Sequence, residues 1–333
     1  MSFKLSVLDQ SFTRQPDQAS EALAETIAMA QHCEQLGYER FWVSEHHAFP
    51  TIAGSAPEVL LAALGAATKT IRLGSGGIML PHYSAYKMAE VFSVLGNLYP
   101  GRIDMGVGRA PGADMSTAMA LATDGQPKFE RFPQLVTELR HYLRSEHTEP
   151  VVSPKPPADL PIWMLGSSAD SGQLAAHLGL PYNLGLFISP QASPAFISHY
   201  KKYFEPSGDL EAPHAIATMS VFCAETEAEA KAQQHTFDVN FFRYVTGQRR
   251  DAKGGGLLTP EEAQDYPMNP HLEVFIMQRS ENRAVGTPEQ VRAGVERVAE
   301  RFHADEVMAV TNMFHFADRK KSFELLKAAF NEN

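Results

Sequence analysis

A glycine-rich turn that carries one arginine is the clearest candidate for chemistry in this sequence. Residues 103–107 predict a buried strand that contains Gly106, and Gly108 and Arg109 follow it. Glycines let a ligand approach the backbone, and the planar guanidinium group of arginine suits phosphate. A dinucleotide fingerprint fits badly, because the third glycine comes one position late and Pro111 stands where the helix should begin. The turn favours a mononucleotide phosphate site; a tight turn with a solvated arginine is the alternative.

A predicted helix that begins with two serines forms a second candidate anion site. The strand that ends at Leu165 is followed by Ser167 and Ser168. The first N–H groups of a helix have no partner within the helix and bind anions readily. An N-cap serine without a ligand is the alternative. This helix and Arg109 follow successive predicted strands, so we expect the two candidate sites to be neighbours.

Two adjacent histidines directly follow the second predicted strand. Neighbouring side chains on an extended backbone point to opposite sides, so at most one of His46 and His47 should face a ligand. Neither H-x-x-x-H nor C-x-x-C occurs nearby, which argues against a metal site. A histidine that only supports its loop is the alternative. Ser75 lies among the glycines of residues 74–77, which indicate either a close approach to the backbone or a bulge.

The elements that must position these residues alternate between strand and helix. Eight strand-then-helix units follow one another without a hairpin signal, which predicts parallel strands. The expected fold class is α/β, a closed TIM (β/α)8 barrel, and an open doubly wound sheet is the alternative. Such barrels carry their active sites at the carboxyl ends of the strands. The polar residues predicted there are Asp9, His46, His47, Ser75, Arg109, Ser167, Ser168 and Asn312.

Two segments fall outside the repeating units of this single predicted domain, residues 1–333. Residues 150–161 contain five prolines and predict a surface excursion. Residues 247–286 include the glycine run 254–256 and show little periodicity, so we expect a long insertion in the C-terminal half of the barrel. Loops of this length are often active-site lids.

Composition and charge narrow the possible partners. The formal net charge is −10 and no basic stripe is visible, which argues against nucleic acid or an anionic membrane surface as a partner. We find no signal peptide and no apolar run that could span a bilayer, so we expect a cytoplasmic protein. Cys33 and Cys223 are far apart in sequence and are predicted to be buried thiols without a disulfide or metal.

Several motifs resemble those of the bacterial luciferase-like flavin-dependent monooxygenase family and occur in its order. They are Ser44-Glu45-His46-His47, Leu73-Gly74 through Leu80-Pro81, Gly101-Arg102 with Gly106-Val107-Gly108-Arg109, and Ala284-Val285-Gly286-Thr287-Pro288-Glu289. Residues 5–11 resemble a subgroup of single-chain luciferase-like oxidoreductases. The resemblance covers nearly the whole chain.

The resemblance implies a TIM barrel that binds reduced FMN at the carboxyl ends of the strands. It maps a non-proline cis peptide beside the flavin ring onto Gly76–Gly77 and the catalytic histidine onto His46, as a general acid or base. The other implied cofactor-binding residues are Arg109, Arg131, Leu165, Ser167, Ser168 and Ser171. As substrate-pocket candidates we name Asp9, His47 and Ser75.

The implied reaction is that of an FMN-dependent monooxygenase. Reduced flavin and O2 would form a C4a-(hydro)peroxyflavin that oxygenates a small organic substrate, with residues 247–286 as the lid. The resemblance also implies a separate flavin reductase and a homodimer that meets through the apolar helices around residues 57–68 and 84–98. The reactive cysteine of the light-emitting catalytic subunit falls at Gly108, so light emission does not follow.

Two other functions are compatible with the same fold. A deazaflavin F420-dependent oxidoreductase would transfer hydride without using O2, and a flavin-binding protein could lack turnover. The preference between FMN and F420 separates the first alternative, and substitution of His46 tests the second.

Overall fold

Eight parallel strands close into a barrel in this computed structural model, which describes residues 3–122, 124–144, 149–189, 191–248 and 255–331. The barrel strands are β1 (Lys4–Asp9), β2 (Arg40–Val43), β3 (Arg72–Ser75), β5 (Ile103–Gly108), β6 (Ile162–Gly166), β7 (Tyr182–Gly185), β8 (Ala215–Cys223) and β10 (Glu306–Val310). They pair in this order, and β10 pairs with both β8 and β1. The predicted TIM barrel is confirmed, and the open-sheet alternative is wrong.

Helices surround the barrel and follow the predicted alternation. They are α1 (Ala19–Leu36), α2 (Pro57–Ala67), α3 (Ala85–Leu98), α4 (Met115–Leu121), α5 (Phe132–Arg144), α6 (Ala169–Leu178), α7 (Ala195–Lys202), α8 (Glu227–Val245), α9 (Pro260–Gln264), α10 (Pro270–Ser280), α11 (Pro288–Phe302) and α12 (Phe316–Asn331). Hydroxyl side chains cap several of them, among them Thr226 before α8 and Thr287 before α11. Cys33 and Cys223 are buried free thiols, as predicted.

The glycines of residues 74–77 interrupt the third barrel strand. β3 ends at Ser75, the peptide bond between Gly76 and Gly77 is cis, and the short strand β4 (Ile78–Met79) then pairs with β5. A tenth strand, β9 (Arg283–Gly286), extends the carboxyl end of β8 outside the closed barrel.

The C-terminal insertion has more regular structure than we predicted. Helices α9 and α10 and strand β9 all lie within residues 247–286, and residues 249–254 of this segment, with part of the glycine run, lie outside the described residues. Little periodicity in this sequence therefore did not mean an absence of helices and strands. Thr259 and Glu262 form a capping box for α9, and Asn269 caps α10. Both helices are short, so their periodicity is weak although their start signals are present.

An ionic network closes the amino end of the barrel, opposite the candidate site. Arg40 donates from Nε and Nη2 to the two carboxylate oxygens of Glu306 at 2.7 and 3.0 Å, and from Nη1 to Oδ2 of Asp104 at 2.7 Å. Burial alone would raise the pKa of Glu306, but the nearby His214, 3.5 Å away, and the charge of Arg40 lower it to about 2. The network ties β2, β5 and β10 together and leaves the other end of the barrel for ligands.

Candidate active site

Two adjoining cavities open at the carboxyl ends of the strands. The larger, which we call the cleft, has a volume of about 650 Å3. The smaller has a volume of about 290 Å3, and we call it the aromatic cavity. His46, Phe187 and Ile188 line both. A molecule in the cleft and one in the aromatic cavity would therefore meet at these three side chains.

Glycine backbone forms part of the cleft wall. Gly76, Gly77 and Gly108 all line it, together with Leu165. A Cβ atom on Gly77 would lie 2.8 Å from the carbonyl oxygen of Gly106, and one on Gly76 would lie 2.6 Å from Cδ1 of Leu8. Larger residues would therefore push this segment away from the barrel top. The cis peptide lies where the resemblance maps it, and its role beside a flavin stays a prediction.

The wall of the cleft contains both an arginine and a helix N-terminus. Arg109 lines the cleft, is exposed, and has no side-chain partner among the described residues. Ser167 and Ser168 line the same region at the start of α6, and the Ser168 side chain makes no capping hydrogen bond. The predicted neighbourhood of Arg109 and this helix start is thus present in the structure. Together they form a suitable site for a phosphate group.

The remaining predicted cofactor residues differ in their placement. Ser171 lines the cleft, but its hydroxyl donates to the carbonyl oxygen of Ser168 at 2.7 Å and lies 3.1 Å from the Tyr182 hydroxyl. Arg131 does not line the cleft; its half-exposed side chain pairs with Glu138 at 3.3 Å. In this conformation the structure does not bring Arg131 to the candidate phosphate site.

His46 stands at the junction of the two cavities and is held by a chain of amides. Its Nε2 lies 3.1 Å from Nε2 of Gln10, and Oε1 of Gln10 accepts from Nδ2 of Asn312 at 2.7 Å. Burial, and to a smaller extent the nearby His47, lowers the pKa of His46 to about 4. The imidazole is therefore neutral near pH 7 and can act as a proton acceptor.

His47 points away from both cavities, in agreement with the expectation that at most one histidine faces the ligand. Its Nε2 lies 2.7 Å from Oε1 of Glu45, a fully buried carboxylate. Glu45 also accepts from the backbone N–H of Met79 and from the hydroxyl of Tyr83, both at 3.0 Å. The Glu45 carboxylate thus joins the loop after β2 to the segment after the cis peptide, and His47 completes this support.

Two predicted substrate residues do not reach either cavity. The Asp9 carboxylate accepts from the Ser11 backbone N–H at 2.7 Å and from the Thr26 hydroxyl at 2.8 Å. The Ser75 hydroxyl donates to the carbonyl oxygen of Gly106 at 2.8 Å and accepts from the Gly106 N–H at 3.0 Å. Buried polar groups must be paired, and both side chains satisfy that need within the protein. Their assignment to the substrate pocket is corrected here, as is that of His47.

The sequence interpretation missed most of the aromatic cavity. Phe237, Phe241 and Tyr244 of α8 line it at a helical spacing that is visible in the sequence. Arg279 of α10 and Leu257 bring the C-terminal insertion into its wall. Gln10 lies one residue beyond β1, next to Asp9, and is the strand-end residue that faces the cavity.

A family comparison agrees with this geometry. Residues 1–305 match the family model described as luciferase-like monooxygenase. The chain belongs to the luciferase-like monooxygenase family. It is therefore an enzyme of the oxidoreductase class, as the sequence motifs predicted.

Relatives of this luciferase-like monooxygenase match over nearly their whole length. The uncharacterized protein YwcH of Bacillus subtilis is 39% identical over 98% of each chain. The N-acetyl-S-alkylcysteine monooxygenase of Bacillus subtilis is 35% identical, again over 98% of each chain. The crystal structure of apo-MsnO8 is 36% identical and superposes with a TM-score of 0.90 over 100% of this chain and 99% of that one.

More distant solved structures share the fold with this luciferase-like monooxygenase. One is the oxygenating constituent of 3,6-diketocamphane monooxygenase from Pseudomonas putida in complex with FMN, which is 17% identical with a TM-score of 0.72. Another is an F420-dependent secondary alcohol dehydrogenase, 15% identical with a TM-score of 0.71.

Within the described part of the chain, helices long and apolar enough to cross a membrane are absent.

Proposed function

We propose that this protein is an FMN-dependent monooxygenase that uses reduced FMN and O2 to oxygenate a small organic substrate. The observation that carries the proposal is the junction of two unlike cavities at His46. The cleft offers glycine backbone and a cation, whereas the aromatic cavity offers mainly apolar side chains. This division suits a cofactor on one side and an organic substrate on the other.

The residues of the cleft fit FMN. The glycines at 76, 77 and 108 place backbone in the cleft wall, against which a flat ring could lie. A Cβ atom at Gly76 or Gly77 would collide with Leu8 or Gly106 and displace this wall. Arg109 and the first N–H groups of α6 supply the positive end that a single phosphate needs. The chain belongs to the luciferase-like monooxygenase family, and one protein with the same fold was solved in complex with FMN. Both findings support FMN as the cofactor.

In this proposal FMN, when bound in its reduced form, supplies the electrons and the reactivity toward O2. The protein binds the phosphate at Arg109 and orients the substrate between aromatic side chains. His46, neutral at pH 7, lies beside both cavities, and its Nε2 could take up a proton only in exchange for the hydrogen bond from Gln10. The apolar walls exclude water from the place where the substrate meets the cofactor.

The proposal includes two protein partners. A separate flavin reductase would supply reduced FMN, as two-component relatives suggest. A second copy of the chain would cover α2 and α3, on which Val59, Val94 and Leu98 are exposed. We also propose that residues 247–286 act as the lid, since Leu257 and Arg279 of this segment line the aromatic cavity.

The first test compares FMN and F420 and then follows oxygen. The protein is titrated with reduced FMN and reduced F420 without oxygen, and the preferred complex is mixed rapidly with oxygenated buffer while its absorbance is recorded. We expect preferential binding of FMN and a transient absorbing species that precedes oxidised flavin. Preferential binding of F420 would replace the proposal with hydride transfer.

If bound FMN oxidises as free flavin does, both in the wild-type protein and in a His46→Ala variant, the non-catalytic flavin-binding alternative is favoured. A change in the oxidation trace on substitution of His46 supports a role of this side chain beside the flavin.

A further inference from the structure

A buried arginine without a carboxylate partner lies in the wall of the aromatic cavity. Arg279, in the last turn of α10, is 9% exposed and lines this cavity. The guanidinium group has five N–H donors, yet among the described residues Arg279 makes one hydrogen bond, from Nη2 to the carbonyl oxygen of Phe187. Its Nε is buried and has no partner. Most of its hydrogen-bonding capacity is therefore unused.

Aromatic rings contact the guanidinium group where an acid would be expected. Its Cζ lies 4.5 Å from the ring centre of Phe241 and 5.2 Å from that of Phe275. The nearby Asp238 is occupied, because Arg283 donates to both of its carboxylate oxygens at 2.7 Å. Cation–π contacts orient the group but do not neutralise its charge.

Two other buried arginines have the carboxylate partners that Arg279 lacks among the described residues. Arg40 pairs with Asp104 and Glu306, and Arg319 pairs with Glu25. A buried charge is costly unless a counter-ion and hydrogen bonds compensate for it. Burial, together with repulsion from Arg283, lowers the pKa of Arg279 to about 10, so the group keeps its charge at pH 7. The missing counter-charge is what a ligand could provide.

We propose that Arg279 binds a carboxylate of the substrate, and that the substrate is a mainly apolar or aromatic acid. This proposal rests on the proposed function only in that the bound acid is taken to be the substrate of the monooxygenase. Arginine and carboxylate form short, charge-assisted hydrogen bonds with a defined orientation. The rest of such a molecule would lie among Phe12, Phe49, Phe237, Tyr244 and Phe314 and extend toward His46.

The size of the cavity limits the substrate. A cavity of about 150 Å3 holds one benzene molecule, and the aromatic cavity, at about 290 Å3, is roughly twice that size. Two fused rings, or one ring with a short side chain, fit this volume. 2-Naphthoate and 2-naphthamide are therefore matched probes, since they share a shape and differ in charge.

The test measures binding of the two probes by calorimetry, without flavin and with oxidised FMN bound. We expect the wild-type protein to bind naphthoate at least about tenfold more tightly than naphthamide, as a charge-assisted hydrogen bond predicts. Arg279→Met should lose this preference while it binds naphthamide about as well as the wild-type protein does, which also shows that the cavity is folded. Arg279→Lys should retain part of the preference.

A matched control separates the two cavities. Arg109→Met removes the cation of the cleft and should leave the preference for naphthoate unchanged. If this variant loses the preference, the anion binds in the cleft and the proposal is overturned. Equal binding of both probes to the wild-type protein, no binding of naphthoate, or an unchanged preference in Arg279→Met would also overturn it. Probe binding needs neither reduced flavin nor O2, so this result is independent of the test of the proposed function.

Discussion

The side-chain nitrogen of Gln10 lies 3.1 Å from Nε2 of His46. Asn312 donates to the side-chain oxygen of the same Gln10 at 2.7 Å, so the amide of Gln10 presents its N–H group to the histidine. An amide nitrogen can only donate, and Nε2 of His46 must then accept. The neutral imidazole therefore carries its proton on Nδ1, which agrees with the lowered pKa of His46.

Replacing Gln10 by glutamate should raise the pKa of His46. The new carboxylate would stand where the amide now donates, and a close negative charge favours the protonated imidazole. We expect the pKa to move from about 4 to above 6, followed by NMR titration of the His46 ring protons. Gln10→Met is the matched control, since burial persists and the pKa should stay low. Equal pKa values in the two variants would contradict the hydrogen-bond chain.

The low pKa of His46 should make the folded protein less stable as the pH falls. An unfolded histidine titrates near 6.5 and the folded one at about 4, so between these values the unfolded state binds more protons. The free energy of unfolding then decreases with falling pH, by at most about 3 kcal/mol from this group. Urea unfolding at pH 7 and pH 4.5 should show a smaller loss in His46→Asn than in the wild-type protein.

The control for this measurement is His46→Gln, which should show the same smaller loss as His46→Asn, because both variants remove the titrating imidazole. If His46→Asn loses as much stability between pH 7 and pH 4.5 as the wild-type protein does, folding does not lower the pKa of His46.

Arg109 and Arg131 should contribute unequally to FMN binding. Arg109 lines the cleft and has no side-chain partner in the described part of the chain, whereas Arg131 pairs with Glu138 outside the cleft. We expect Arg109→Ala to weaken FMN binding about 10- to 100-fold, the range for a charge-assisted hydrogen bond, and Arg131→Ala to weaken it by less than about threefold. Fluorescence titration measures both. Riboflavin lacks the phosphate, so its affinity should not change in Arg109→Ala; equal losses for both ligands would exclude a phosphate role.

A second copy of the chain should cover the apolar faces of α2 and α3, which pack against each other. Val59 on α2 is 67% exposed and Leu98 on α3 is 57% exposed. Glutamate at both positions should convert the expected homodimer into a monomer, because charged groups lose hydration when an apolar interface forms. Light scattering after gel filtration gives the mass. Glutamate at Val274, exposed on α10, is the control and should leave the mass unchanged.

The sequence predicted the fold well because barrel strands are buried on both faces and helices alternate with them. It also placed Arg109 and the start of α6 side by side, since they follow β5 and β6, which pair. It failed for Asp9 and Ser75, because proximity to a strand end does not determine whether a side chain turns to the cavity or back to the backbone. Asp9 is paired by Ser11, two residues on, and by Thr26, and Ser75 is paired by Gly106 of the neighbouring strand.

The aromatic cavity was harder to predict for a different reason. Its wall combines α8, the C-terminal insertion and the segments after β1, β2, β7 and β10, and no local pattern indicates that these segments meet. Arg279 in particular looks like an ordinary basic residue at the end of a helix. Its lack of a carboxylate partner among the residues that the structure describes follows from tertiary packing, which buries the guanidinium group among aromatic rings.

Gly106 should not tolerate a methyl group. A Cβ atom there would lie 2.1 Å from the carbonyl oxygen of Ser75 and 2.7 Å from Cδ1 of Leu165, and the first of these atoms is backbone that cannot rotate away. We expect Gly106→Ala to lower the free energy of unfolding by about 3 kcal/mol or more, at the upper end for overpacking, as measured by urea unfolding. The strain would also separate β3 from β5 beneath the cleft, so FMN binding should weaken.

Gly208→Ala is the control, because no atom lies within 4 Å of the position of its added Cβ. The free energy of unfolding of this variant should differ from that of the wild-type protein by less than about 0.5 kcal/mol. A stable Gly106→Ala protein that binds FMN normally would show that the strands below the cofactor site can move apart without loss.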